Sequence, residues 1–481
     1  MKNYWQEQRF ESIVWLIYSS FSFIWLWLHE PWRDEGQAWL IVRDLNLLDV
    51  FKQMAWEGSP ALWHVLLFPF AKLGFPYYSM LVLHWLIAIS AAWLLLFKSP
   101  FSTLLKTVFI FSYLMLYEYV IIARNYNLSI LILFAIASLY KSRFEKPILY
   151  SFLIFLLFNT NIHSFAAAVV LIFIYFWELV SSKDFQKNKV IALFIMLLGG
   201  LLVFLQMPLD SSLQHHAVIS VSSYNFDAAF VAIGNSFLAG FGLNIFAGII
   251  LSLILLMFFV RYLEKPVILF FLIVSISWLL YIFGSIHTGD LRHHGLIMIF
   301  LIFSLWLEKL IIPNQQKFSR IKINLDLIRK ITNYILVLCL LVSVFMSFKF
   351  YRNDLLFSYS GSKETARFIK ENISPNQIII AHQSFACSSL LPFLPNYRFW
   401  YADIQEMGSF ITWDEEFAEN AYTLTNDELL KRASLAFDNQ GKIYLLNSPF
   451  IGNSDNLELI FQNMKQVFSR KDEIFYIYKE K

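Results

Sequence analysis

Two cysteines in 481 residues, Cys339 and Cys387, lie far apart in the chain, so no disulfide framework is implied and no CxxC pair is available for zinc or redox chemistry. Charge is equally sparse: 15% of residues are Asp, Glu, Lys or Arg against about 25% in soluble proteins, while 58% are hydrophobic. That excludes an ordinary soluble domain. There is no Walker motif, no GxGxxG and no HExxH, which leaves no nucleotide cradle or zincin helix. No repeat or low-complexity tract is present, and the net charge of +3 carries no basic patch of the kind that binds nucleic acid.

What the chain has instead is long apolar runs. Eleven are long enough to be read as spans, roughly 11–28, 77–97, 104–121, 126–140, 148–161, 164–180, 190–207, 242–260, 267–285, 295–312 and 331–348. With the N-terminus in the cytoplasm, the inward loops hold eighteen Lys and Arg and the outward loops six, namely Arg33, Arg43, Lys52, Lys72, Arg124 and Arg292. This bias places Asp34, Glu118 and the C-terminal tail outside. Reading 60–74 as a further span would invert every later loop, so that stretch is expected to lie in the outer interface as an amphipathic helix. No small-residue cleavage site follows Leu28, and the first span is read as a retained anchor. The organisation expected is a membrane module over 1–348, whose outer loop 29–75 carries an acidic motif and the interfacial helix, and a small extracytoplasmic α/β domain over 349–481. In the latter, helices fit 362–372 and 427–437, and strands fit 377–381, 398–401, 442–446 and 473–478.

The titratable groups are distributed unevenly. By this topology nine of ten histidines fall outside, His84 being the exception, together with Asp34, Glu35, Glu57, Glu118, Asp210, Asp227, Asp290, Arg124 and Arg292. Ionisable groups at membrane depth are costly and point to function. Asp34 and Glu35 stand among aromatics just after the first span. Burial there is expected to raise a carboxyl pKa toward the range of a general base. Arg292, in His287-Thr288-Gly289-Asp290-Leu291-Arg292-His293-His294, is the one side chain of fixed positive charge on the outer face between residue 190 and the tail. A guanidinium presents paired donors to phosphate oxygens, so Arg292 is the expected phosphate ligand, aided by His293 and His294, with Arg124 as a second candidate. Glu118 and Arg124 flank a tight hairpin, where a mutual salt bridge is the plain structural reading.

Asp34-Glu35 after the first span, then Glu57-Gly58-Ser59-Pro60-Ala61-Leu62-Trp63, then Glu118-Tyr119-Val120-Ile121-Ile122-Ala123-Arg124-Asn125-Tyr126, resembles the polytopic glycosyltransferases of the GT-C class, in the branch of protein O-mannosyltransferases and lipid A aminoarabinose transferases. The resemblance is strongest over residues 10–140. It implies transfer of a sugar from a polyprenyl-phosphate-linked donor, with inversion, to a glycan, lipid or protein acceptor at the outer face of a bacterial inner membrane. Asp34 and Glu35 would form the catalytic pair, with Asp34 as base, and Glu118 and Glu57 would orient the acceptor or a metal. A divalent cation is left open, because related oligosaccharyltransferases use one and mannosyltransferase relatives are not known for it. The rival reading is a multi-pass transporter, which should show mid-span charges and paired broken helices.

Overall fold

The computed structural model describes residues 2–207, 224–238, 245–311, 325–413, 417, 420, 423–437, 441–452 and 456–481. His215, His216 and Asp210 lie outside them. Helices α1 (Lys2–Leu28), α5 (Tyr78–Lys98), α10 (Phe165–Ser182), α11 (Lys187–Gln206), α14 (Pro266–Ser285), α15 (Leu291–Leu310) and α16 (Leu325–Leu356) contain the seven segments among the described residues that are long and apolar enough to cross a membrane. An eighth is a bent pair, α6 (Thr103–Ile110) and α7 (Leu114–Ile121), at 52°. The chain is a multi-pass membrane protein. The other three expected spans are helical as well: α8 (Tyr126–Leu139), α9 (Pro147–Phe158) and α13 (Ile245–Tyr262), the first two being the shorter. Twelve to fourteen helical residues rise about 18–21 Å, below the ~30 Å of hydrocarbon. All eleven expected spans thus fall on helices, of which seven, or eight with the bent pair, are among the described residues long and apolar enough to cross a membrane by length and composition.

The bend between α6 and α7 is built from side chains. A π-helical turn over Leu114–Glu118 breaks the regular ladder, and the freed backbone groups find partners elsewhere. Tyr113 N–H donates to Ser343 Oγ at 3.0 Å, Tyr18 Oη donates to the Met115 carbonyl at 2.9 Å, and Ser347 Oγ donates to that of Phe111 at 3.2 Å. Tyr351 Oη caps the Leu116 carbonyl. Helices α1 and α16 thus hold α7 where it can offer Glu118 and the chain toward Arg124. Gly295 on α15 permits the next contact: a Cβ there would sit 2.5 Å from Tyr119 Oη, and that hydroxyl donates to the Arg292 carbonyl at 2.8 Å.

The outer loop that sequence patterning leaves largely irregular is three short helices, α2 (Arg33–Asp44), α3 (Leu47–Glu57) and α4 (Leu62–Lys72). Helix α4 falls inside the stretch expected to be interfacial and is 11 residues long. Its Trp63 and His64 are buried, Trp63 packing edge-on against His84 of α5 at 5.9 Å. A further helix, α12 (Phe226–Leu238), precedes α13.

After α16 the chain forms a mixed six-stranded sheet in the order β3-β2-β1-β4-β6-β5. Its strands are β1 (Ile379–Ala381), β2 (Phe399–Tyr401), β3 (Glu406–Gly408), β4 (Ile443–Leu446), β5 (Leu457–Gln462) and β6 (Tyr476–Glu480). β1 is parallel to β2 and β4, and the outer pairings are antiparallel. The central strands β1 and β4 are buried throughout, as apolar parallel strands must be. Helices α17 (Ser362–Asn372) and α19 (Asn426–Ala436) flank the sheet, and α18 (Ser384–Cys387) with its 3₁₀ continuation to Phe393 packs against α2. Edge strands β3 and β5, with mostly exposed side chains, were not foreseen.

Candidate functional site

Helix α2 starts right after Pro31 and Trp32, with Asp34 and Glu35 in its first turn, where carboxylates are favoured by the helix dipole. From there the two acids diverge. Glu35 is fully buried. Its Oε2 accepts the Trp32 N–H at 3.1 Å and its Oε1 the Ala123 N–H at 2.7 Å, so it ties α2 to the turn between α7 and α8. Burial pushes the Glu35 carboxyl above the usual range, against the opposing pull of His29 and the two amides. Each oxygen thus has a backbone donor, and the two bonds let Glu35 hold these segments together.

Asp34 faces guanidiniums. Arg292 Nη2 lies 3.3 Å and Arg124 Nη2 3.7 Å from its Oδ2, and Arg124 Nη1 donates to the Asp34 backbone carbonyl at 2.7 Å. Its side chain is a quarter exposed. Burial pushes the Asp34 carboxyl up, but Arg124, Arg292, Arg33 and Arg470 together outweigh it, and the pKa lies below the usual carboxylate range. This reverses the expectation drawn from burial alone: Asp34 is ionised at neutral pH because cations surround it.

Arg292 is almost fully buried on the first turn of α15, with Nη2 also 3.0 Å from Asp290 Oδ2. A third guanidinium, Arg470 of the C-terminal domain, lies 3.7 Å from the same Asp290 oxygen. Arg470 stacks 3.5 Å from the centre of the Trp32 ring, whose neighbourhood Arg292 shares at 5.0 Å. The Nε atoms of Arg124, Arg292 and Arg470 are all buried with no hydrogen-bond partner. Arg33, by contrast, is matched by Asp472. Three guanidiniums thus meet two carboxylates and still have donors to spare. Buried donors without acceptors are costly, and this set suits a phosphate.

The remaining expected residues are spread around this centre. Glu57, at the end of α3, accepts from Gln37 Nε2 at 2.7 Å, and burial pushes its pKa up to about 7. Glu118 accepts from Tyr113 Oη and makes no ion pair with Arg124 among the described residues; the expected hairpin salt bridge is replaced by Arg124 on Asp34. His294 sits between Asn235 Nδ2 at 3.2 Å and the Thr288 carbonyl at 2.8 Å. It borders a cavity of about 400 Å³ lined by Asn225, Asn235, Thr288, Asp290 and Leu291 among others.

His293 joins His163 and His287, their ring nitrogens within 4.8 Å of one another. However, the Asp290 N–H donates to His293 Nδ1 at 2.7 Å, so Nδ1 is occupied and Nε2 carries the hydrogen of the neutral ring. His293 therefore offers a metal no lone pair while that bond stands. Nor do the carboxylates converge: Asp34 faces arginines, Glu35 amides, Glu57 a carboxamide and Glu118 a phenol. This donor set does not fit a hard divalent cation, which needs several oxygens on one point.

Sequence reasoning missed Trp32 as a platform, Asp290 as a bridge and Arg470 altogether. Arg470 sits in an ordinary charged turn, and only folding of the tail brings it to α2. The docking is specific. Gln37 exchanges two bonds with the Ile411 backbone at 2.7 and 2.8 Å, and Glu473 Oε1 accepts the Arg33 N–H at 3.1 Å. A Cβ on Gly36 would already lie 3.1 Å from Pro392 Cγ.

No protein-family model and no curated protein matches this sequence. Among solved structures, that of ArnT from Cupriavidus metallidurans bound to undecaprenyl phosphate aligns over 98% of this chain and 97% of that one, with a TM-score of 0.56 and 8% identity. The likeness is one of fold. At that coverage it includes the C-terminal domain, beyond the motifs around Asp34 and Glu118, and the chain has the polytopic fold of ArnT.

Proposed function

We propose that the protein is a glycosyltransferase that moves a sugar from a polyprenyl-phosphate carrier to an acceptor hydroxyl or amine at the outer face of a bacterial inner membrane. The observation that carries this reading is the convergence of Arg124, Arg292 and Arg470, each with an unpartnered buried Nε, on Asp34 and Asp290. The neighbour's bound undecaprenyl phosphate supports the same ligand class. The positive-inside bias supports a cytoplasmic N-terminus and an external C-terminal domain.

Asp34 accepts the proton of the acceptor as the acceptor attacks the anomeric carbon. The bond from that carbon to the phosphate oxygen breaks, its electron pair stays on the phosphate, and the configuration inverts. Donor phosphate competes with Asp34 for the guanidiniums of Arg124 and Arg292, so donor binding frees the carboxylate and makes it a stronger base. The cavity beside Asp290, with its Asn, Thr and His lining, suits a sugar's hydroxyls.

The test is binding of polyprenyl phosphate to purified protein. Arg292→Ala should weaken it by about 2–5 kcal/mol, roughly 30- to several-thousand-fold. Arg292→Lys should fall between, because an ammonium lacks the paired donors. Lys52→Ala, on an exposed side chain of α3, is the control. Equal affinity in all four proteins would overturn the proposal.

A further inference from the structure

We infer that Arg470, carried by the C-terminal domain, binds the leaving phosphate and completes a site that the membrane helices alone leave unfinished. This rests on the glycosyltransferase reading above. The guanidinium is fixed from several sides. Its Nη2 reaches Tyr359 Oη at 3.4 Å, and its backbone N–H donates to the Tyr359 carbonyl at 3.0 Å. Its plane rests on Trp32. Tyr359 in turn packs edge-on against His29 at the end of α1, with ring centres 4.5 Å apart, and His29 Nδ1 lies 3.3 Å from Asp354 Oδ2 on α16. A side chain serving only to staple the tail to the membrane body would bring its charge to a matching carboxylate, as Arg33 does with Asp472. Arg470 instead shares Asp290 with Arg292 and keeps its Nε–H unpartnered.

Charge conservation explains why a third arginine is needed. Arg124, Arg292 and Arg470 carry three positive charges, Asp34 and Asp290 two negative ones, and the donor phosphodiester adds one more. The site is then neutral. During transfer the acceptor proton goes to Asp34, which becomes neutral, while the carbon–oxygen bond breaks toward phosphorus and leaves a monoester dianion. The sum remains zero, but one negative charge has moved from Asp34 to the phosphate. With two arginines the same site would be negative once the donor had bound, and the dianion would form without its cation. Arg470 is therefore matched to charge that develops in the transition state, where a fixed donor acts on turnover more than on substrate binding.

Arg470→Ala and Arg470→Lys in the full-length protein test this, with Lys471→Ala on the exposed neighbour as control. The readouts are turnover with lipid-linked sugars extracted from the native membrane, the KM for that donor, binding of polyprenyl phosphate as product, and melting temperature. Expected in Arg470→Ala is a loss of roughly 10²-fold in kcat, a product affinity reduced more than the donor KM is raised, and partial recovery in Arg470→Lys. A purely structural staple would lower the melting temperature while leaving kcat and product affinity at the control values, and that result would overturn the assignment. Loss of polyprenyl phosphate binding in Arg292→Ala but none in Arg470→Ala would reject the inference and leave the proposed function standing. Unchanged binding in both would reject the function itself.

Discussion

Two neighbouring regions at the start of α2 surround their carboxylates in opposite ways. In the arginine basin, Asp34 and Asp290 face three guanidiniums with donors left over. In the carboxylate basin beside it, Glu35 is held by amides, Glu118 by a phenol and Glu57 by a carboxamide, so each acid is absorbed into the architecture. Adjacent residues therefore differ in role because helix geometry turns their side chains about 100° apart. The partner, more than the burial, decides what a carboxylate can do.

Breaking the arginine basin should have the largest effect. Asp34→Asn removes the proton acceptor at constant size and should lower transfer by about 10²–10⁴-fold. Because the carboxylate that competes for Arg124 and Arg292 is then gone, binding of polyprenyl phosphate should be retained or tightened. Parallel assays of transfer and binding check this, and wild-type turnover or a loss of binding would refute it.

The matching change in the carboxylate basin should act on stability. Glu35→Gln places an amide nitrogen against one of two backbone N–H groups and orphans it, at a cost of about 1–3 kcal/mol. The expected result is a lower melting temperature in detergent, with phosphate affinity reduced much less than in Arg292→Ala. A loss of transfer at unchanged stability would move Glu35 into the chemistry and erase the distinction between the basins.

Legibility in the sequence followed range. Apolar length marked the helices, and the motifs around Asp34 and Glu118 carried the fold class, because these signals are local. Arg292 stood out as an isolated fixed charge. At α8 and α9 the apolar runs marked helices but not their length, since both are shorter than a full perpendicular crossing. Helix α2 was invisible as an element, its mean hydropathy being lowered by the Gln37 and Arg43 side chains that bind the tail. Arg470 and Asp354 act through neighbours hundreds of residues earlier, a relation that no window of sequence displays. The sign of the Asp34 shift failed for the same reason: its neighbours in sequence announce burial and supply one cation, Arg33, while the others come from the turn before α8, from α15 and from the tail.

The smallest expected effect concerns how the two regions respond to pH. Burial pushes Glu473 up to about 7, opposed by its bonds from Ser360 and from the Arg33 amide, and Glu57 is raised to a similar value. Both are neutral acids when folded at pH 6, whereas unfolded carboxyls, with an ordinary value near 4.5, have lost their protons. At these two sites the folded state thus binds more protons between these values, and their contribution to stability falls as pH rises from about 4.5 toward 7. From pH 6 to 8 the loss is about 1 kcal/mol per group. Asp34, lowered by its arginines, contributes in the opposite sense only below the ordinary carboxylate range, so the two basins separate on the pH axis. The buried His64, outside the spans, is lowered from its ordinary value by that burial and acts in the opposite sense over the same range, so the measurement that isolates Glu473 is a difference between variant and wild type. Glu473→Gln, which keeps an oxygen for the Arg33 amide but cannot ionise, should gain melting temperature relative to the wild type as pH rises from 6 to 8. A difference that does not grow with pH would mean that Glu473 is charged in the docked tail, and that the contact between the C-terminal domain and α2 is an ion pair and not a neutral hydrogen-bonded seam.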